Sequence, residues 1–164
     1  ARFVVQQLVD QWRSVGEQVD LVEEQLRVFA AQAPTREAEA RAVLKSIPWV
    51  GPVTIDVVIS ELGDIQRFRT AKQVCAYAGL VPAYRESAGK RKDLGITKQG
   101  SPRLRWALIE AAWRVATHTA RWRTVFERLH QQRGKKRAIT AIARRLLCVM
   151  TSMLKTGQSY RLAA

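Results

Sequence analysis

Residues 5–29 read VQQLVDQWRSVGEQVDLVEEQLRVF, and their apolar positions decide the first half of the fold. Val5, Leu8, Trp12, Val15, Val19, Val22, Leu26 and Phe29 are spaced alternately three and four apart. That is a two-in-seven seam, narrower than the stripe a helix shows to its own globular core, and it predicts a coiled-coil helix over residues 3–31. At the helical rise the rod is about 44 Å long. Burying eight seam side chains contributes roughly 1.5–3 kcal/mol each before ordering entropy is subtracted. The seam can pair between chains or pack on the chain's own later helices. Its strictness over four heptads favours pairing, so a homodimer or higher homo-oligomer is expected.

Ala33-Pro34-Thr35 ends this helix and separates a coiled-coil segment, residues 1–33, from a second domain, residues 34–164. Further helices are expected over 36–46, 53–62, 71–78, 102–119, 121–132 and 138–154, and Thr35 is a plausible N-cap for the first of them. Leu104, Leu108, Ala111, Ala112 and Val115 would form the buried face of the helix that Ser101-Pro102 opens. No long alternating strand pattern appears. The expected fold class is all-α: a long coiled-coil helix, then a compact helical domain, with a loop around residues 82–98. The segment Ser46-Ile47-Pro48-Trp49-Val50-Gly51-Pro52 between two helices has the pattern of a helix-hairpin-helix, which would aim the N–H groups beyond Gly51 at a DNA phosphate. Such motifs usually read Pro-Gly-h-Gly, with h apolar. Trp49 stands where their first glycine would be, and either fills the phosphate notch or marks a plain helix connection.

Charge divides the chain unevenly. Residues 1–88 carry ten Lys/Arg and eleven Asp/Glu, net −1, whereas residues 89–164 carry eighteen and three, net +15. An excess this lopsided implies a polyanionic partner, nucleic acid before a membrane surface, and no apolar run approaches the ~18 residues of a spanning helix. Where the two halves meet, Arg85, Lys90, Arg91, Lys92 and Lys98 surround Ser87 and a set of glycines, Gly89, Gly95 and Gly100. Cations and backbone of that kind suit a phosphodiester, and a serine hydroxyl held among them could attack phosphorus. Neither His118 nor His130 is near Ser87 in sequence to act as its base. Ser101 is a rival nucleophile, but its place before Pro102 fits helix capping better. Lys98 and Arg103 close by are expected contacts to nucleic acid. Arg133, the run Gly134-Lys135-Lys136-Arg137, Arg144 and Arg145 read as contacts to a nucleic-acid backbone, against the simpler reading of a solvated turn. Trp106, Trp113 and Trp122, at helical spacing, read as core rather than as base-stacking platforms. Cys75 and Cys148 sit in apolar patterns without a metal-ligand spacing, so buried reduced thiols and a cytoplasmic location are expected.

With these segments in place the chain resembles the insertion-sequence transposases of the one-hundred-and-ten family, the DEDD/serine recombinases guided by a bridge RNA. The resemblance rests on six motifs in order: Ser46 to Pro52; Glu61-Leu62-Gly63-Asp64 with Phe68; Ala76 to Pro82; Glu86-Ser87-Ala88-Gly89-Lys90-Arg91; Ile96 to Gly100 through Leu104-Arg105; and Arg133 to Ala138. Trp49 departs from the pattern, as does Ser101, where the family often has Asn. The resemblance implies that Ser87 is the catalytic serine. It further implies a preceding RNase-H-like domain with four acidic ligands for a divalent metal (Mg2+), with no cofactor in the segment read here. DNA and a guide RNA would be its partners, and the coiled coil would join the domains and mediate dimer formation. Because the sequence opens at Ala1 without a Met, that domain is expected to lie upstream.

Overall fold

A computed structural model describes residues 2–32, 35–87 and 89–161, with only the backbone of Ala30 and Arg91. Among these residues the chain is mostly α: α1 (Arg2–Ala31), α2 (Thr35–Lys45), α3 (Pro52–Leu62), a 3-10 turn (Ile65–Arg67), α4 (Ala71–Tyr77), α5 (Pro102–His118), α6 (Ala120–Arg133) and α7 (Lys135–Thr156). Between α4 and α5 the expected loop is instead an antiparallel hairpin, β1 (Pro82–Ser87) and β2 (Lys90–Ile96). The sequence hid it because its strands are short and charged on both faces, so no alternation of apolar and polar residues marks them. The chain divides into two units, Ala1–Ala38 and Glu39–Ala164.

In the first unit, α1 runs unbroken, and the eight seam residues are 51–77% exposed. The second unit is built around α7, which packs on α4, α5, α6 and the 3-10 turn. Ile142, Leu146, Leu147 and Met150 of α7 are fully buried with Leu104 and Leu108 of α5 and Val58 of α3. The expected buried face of α5 is the observed one. Cys75 of α4 lies against α7, its Sγ 3.5 Å from Cys148 Sγ and 3.8 Å from the Arg144 carbonyl. Burial, reinforced by the neighbouring Cys148 thiol, pushes the Cys75 thiol up to about 11, so it stays protonated. Both cysteines are free; Cys148 is only half-buried.

Local chemistry sets the ends of these elements. Thr70 and Gln73 form a reciprocal capping box at α4, and Asp64 caps the 3-10 turn. Ser101 caps α5: its Oγ accepts from the Leu104 amide at 3.2 Å and donates to Glu61 Oε1 at 2.7 Å, tying the end of α3 to the start of α5. Near the C-terminal end of the described chain, the Tyr160 amide donates to Ser46 Oγ at 2.8 Å and its hydroxyl accepts from Trp122 Nε1 at 3.1 Å. The Lys135-Lys136-Arg137 run is the first turn of α7 rather than a linker, and Gly134 alone makes the join.

The hairpin is anchored where two stretches of main chain cross. Lys98 N donates to Gly79 O at 3.1 Å, Thr97 N to Val81 O at 3.0 Å, and the Arg105 guanidinium to the carbonyls of Ala78 and Gly100 at 3.3 and 3.0 Å. A Cβ on Gly100 would lie 1.9 Å from Tyr77 O, and one on Gly79 2.2 Å from Gln99 O. Gly100, expected to open the backbone to a ligand, instead serves with Gly79 a close crossing of backbone on backbone.

Gly100→Ala should therefore cost at least ~3 kcal/mol in urea denaturation, because main chain must move. Gly157→Ala, at the αL position ending α7 with open space around it, should cost about 1–2 kcal/mol. Ser101→Ala should cost ~1 kcal/mol through loss of the α5 cap, whereas Ser101→Asn should retain most of it, since Asn caps as well as Ser. Equal losses for the two variants would show that the Glu61 bond, not the cap, carries the effect.

Candidate nucleic-acid interface

β1 and β2 pair with Arg85 opposite Lys92, Glu86 opposite Arg91 and Ser87 opposite Lys90. Residues directly opposite in an antiparallel pair share a face, and alternate residues along a strand share a face, so Arg85, Ser87, Lys90 and Lys92 lie together. Three cations and a hydroxyl thus line one side of the hairpin tip. The two-residue turn is possible because Gly89 takes φ 74, the conformation such a turn demands. Among the described residues, Arg85, Lys90 and Lys92 have no carboxylate partner and the Ser87 hydroxyl has no hydrogen bond; Ser87 is exposed. Arg91 lies in β2 opposite Glu86, and its side chain is outside the described residues, as is Ala88.

Tyr84 and Asp93 occupy the opposite face. There Asp93 pairs with Arg137 of α7 at 3.2 Å, and its other oxygen accepts from the Gly95 amide at 2.9 Å beside the bulge at Ala83/Tyr84. The ion pair is exposed and worth little by itself, but it fixes which face of the hairpin turns to α7. The serine face is the other one.

The remaining basic residues separate into distinct places. Lys98 and Arg103 sit at the root, Lys98 with φ 56 and Arg103 in the first turn of α5, a strand's length of roughly 20 Å from the tip. Arg133, Lys135, Lys136 and Arg137 make an exposed corner at the α6–α7 junction, with Lys135 Nζ 5.1 Å above the Trp113 ring. Arg145 is exposed along α7 and Arg144 half-buried, its carbonyl engaged by Cys75. Gly51 is the N-cap of α3, at the other end of that helix from Glu61, and is joined to no basic cluster by any described contact. Trp49 there takes φ 66, a conformation suited to glycine, and its ring lies on His118 with centroids 4.3 Å apart.

His118 is thus engaged with Trp49, and His130 stacks on Phe126 at 5.6 Å. Of the tryptophans, Trp122 is buried and Trp113 packs edge-on against Phe126, but Trp106 is 58% exposed, contrary to the core expectation. Its place on the outer side of α5, between Arg103 and Glu110, is the reason. The roles of Glu61 and Asp93 were not foreseen. Glu61 carried a signal, since it opens the Glu-Leu-Gly-Asp motif, whereas Asp93 had none beyond being the single acid in a basic run. No group of three or more His, Cys, Asp or Glu among the described residues could hold a metal, and no described helix is long and apolar enough to cross a membrane.

Comparison with known proteins agrees with this picture of a basic helical unit. The profile described as Transposase IS116/IS110/IS902 family matches residues 41–127. The transposase for insertion sequence element IS1111A of Coxiella burnetii is 33% identical over 141 residues, 78% of this chain and 39% of that protein. A putative transposase, y4rJ, of Sinorhizobium fredii is 33% identical over 156 residues, 92% of this chain and 39% of its own length. The pilin gene-inverting protein of Moraxella bovis is 31% identical over 130 residues, 77% of this chain and 40% of that protein. The chain therefore spans 39–40% of the length of these relatives. The matched profile covers the pinned hairpin and the helices that hold it, and the chain belongs to the IS116/IS110/IS902 family of transposases.

Proposed function

We propose that this chain is the C-terminal part of a DNA recombinase in which Ser87 is the nucleophile for strand cleavage and exchange. The observation that carries the reading is the single face holding Ser87 with Arg85, Lys90 and Lys92, none of them neutralised by a described carboxylate. Serine attack forms an Oγ–P bond as one P–O bond of the strand breaks. The departing sugar hydroxyl takes up a proton equivalent to the one the serine loses. The phosphodiester energy is conserved in the phosphoserine link, so rejoining requires no nucleotide. The three cations stabilise the charge that builds on pentacoordinate phosphorus. Ser101 is the poorer candidate because its hydroxyl caps α5 at the root of the hairpin, away from the face that holds Arg85, Lys90 and Lys92.

A divalent metal, Mg2+, is assigned, by the resemblance alone, to a preceding RNase-H-like domain with four acidic residues. The base that activates Ser87 is also assigned there, since neither histidine serves the hairpin tip. DNA binding is assigned to the α6–α7 corner together with Arg144, Arg145 and the hairpin. Lys135, Lys136 and Arg137 oppose the dipole of α7 from its first turn, an arrangement that disfavours the helix and that bound phosphates would offset. A guide RNA is the further partner of the recombinase. The α1 seam, exposed along its whole length, is assigned to pairing with a second copy.

Ser87→Ala in the full-length protein should lower strand exchange by at least ~10³-fold and leave salt-dependent DNA binding within about twofold, while a suicide substrate should trap a covalent adduct that peptide mapping places at Ser87. An adduct at Ser101, or none at any serine, would sink the assignment and leave a non-catalytic binding and dimerisation module. Replacing Val15 and Val22 together by Asp should convert the oligomer to monomers in sedimentation, since each would bury an unpaired carboxylate in the seam. An unchanged sedimentation coefficient would exclude pairing through α1.

A further inference from the structure

Trp49 is held in a way that costs the folded chain twice. Its φ of 66 is the left-handed conformation that L side chains avoid, and glycine would remove that cost. The indole gains little burial in return, being 54% exposed. One face of the ring is already supported, lying on the His118 imidazole at 4.3 Å and 23°. Stacking on His118 leaves the rest of the indole turned to solvent, and Val53, in the first turn of α3, is itself 59% exposed. At the same end of α5 the Arg123 guanidinium donates to the Thr117 carbonyl, one residue before His118.

No other tryptophan in this unit is placed like it. Trp122 is buried, Trp113 is covered by Phe126 and Lys135, and Trp106 has no ring contact among the described residues. A preformed, half-covered aromatic stack, in a folded unit (residues 39–164) that carries twenty-four Lys/Arg against eight Asp/Glu, matches an unpaired base of a polyanionic strand. Duplex DNA presents no such free base face.

We propose that Trp49, backed by His118, is a stacking platform for an unpaired nucleobase of single-stranded DNA or RNA. The proposal rests on the nucleic-acid-binding function proposed above but not on Ser87, and it places a contact away from the hairpin, at the junction before α3.

The test uses the 164-residue chain with Trp49→Gly, Trp49→Phe and His118→Ala variants, and with oligo-dT and oligo-U probes each carrying one 2-aminopurine, whose fluorescence is quenched on stacking. Trp49→Gly should keep or raise the thermal midpoint, because glycine relieves the backbone. Its affinity for single strands should fall about tenfold or more, the loss of one base–aromatic stack, with loss of the quenching. Duplex affinity and the salt slope should stay as they are, since no charge is removed. Trp49→Phe should retain most of the affinity, and His118→Ala should fall between. Comparing the dT and U probes then shows which nucleic acid the platform prefers.

Wild-type affinity and quenching in Trp49→Gly, or an equal loss on duplex and single strand, would overturn the platform while leaving nucleic-acid binding intact. Absence of any salt-dependent binding by the unaltered chain would overturn both. Protection of Trp49 from acrylamide by the preceding domain, with none from oligonucleotides, would assign the ring to a protein contact and equally overturn the proposal.

Discussion

The crossing of the main chain at Gly79 and Gly100 is the constraint on which the candidate site depends. A two-stranded hairpin alone is marginal in water, and this one has little apolar surface to bury. Its direction is set from below, by the ladder bonds of Thr97 and Lys98 and by Arg105 bridging the carbonyls of Ala78 and Gly100. Arg105 emerges from α5, whose inner face is in the core, so the hairpin inherits its rigidity from the helices rather than from its own strands. The Asp93–Arg137 pair adds orientation more than stability.

This arrangement puts the Ser87 hydroxyl at the end of a lever. Ser87 lies a strand's length from the packed unit, among cations, exposed and without a described hydrogen bond. The same design explains why Ser101 is a poor candidate despite similar neighbours. It stands at the root, where its hydroxyl caps α5, a strand's length from the cations of the tip. Position along the hairpin, more than local composition, separates the two serines.

Basic residues are likewise sorted by the fold. Cations close in sequence to Ser87 divide between the tip and the root, while Arg137, far away in sequence, comes beside the hairpin. The first turn of α7 gathers charge where helix electrostatics disfavours it, and Trp49 keeps a strained backbone where glycine would be unstrained. Each is a departure from what folding alone selects, and both fall on the exposed surface of a strongly basic unit.

Much was legible in the residues themselves. The heptad spacing determined α1, the Pro and Gly punctuation marked the ends of α3 and α5, and the apolar period of α5 named its buried face, because these depend on interactions within a few turns of chain. Six ordered motifs pointed to the transposase family, and the profile match bears this out. The hairpin was not legible, since charged strands carry no apolar period and are held by contacts made some twenty residues apart at their root. Nor could spacing tell that Trp106 points outward while Trp122 is buried, because that depends on which side of each helix meets α7. Long-range packing decided those points, together with the shared face of Ser87 and its cations, the engagement of Ser101 by Glu61 and the stack of Trp49 on His118: each joins residues that only the folded chain brings within contact distance.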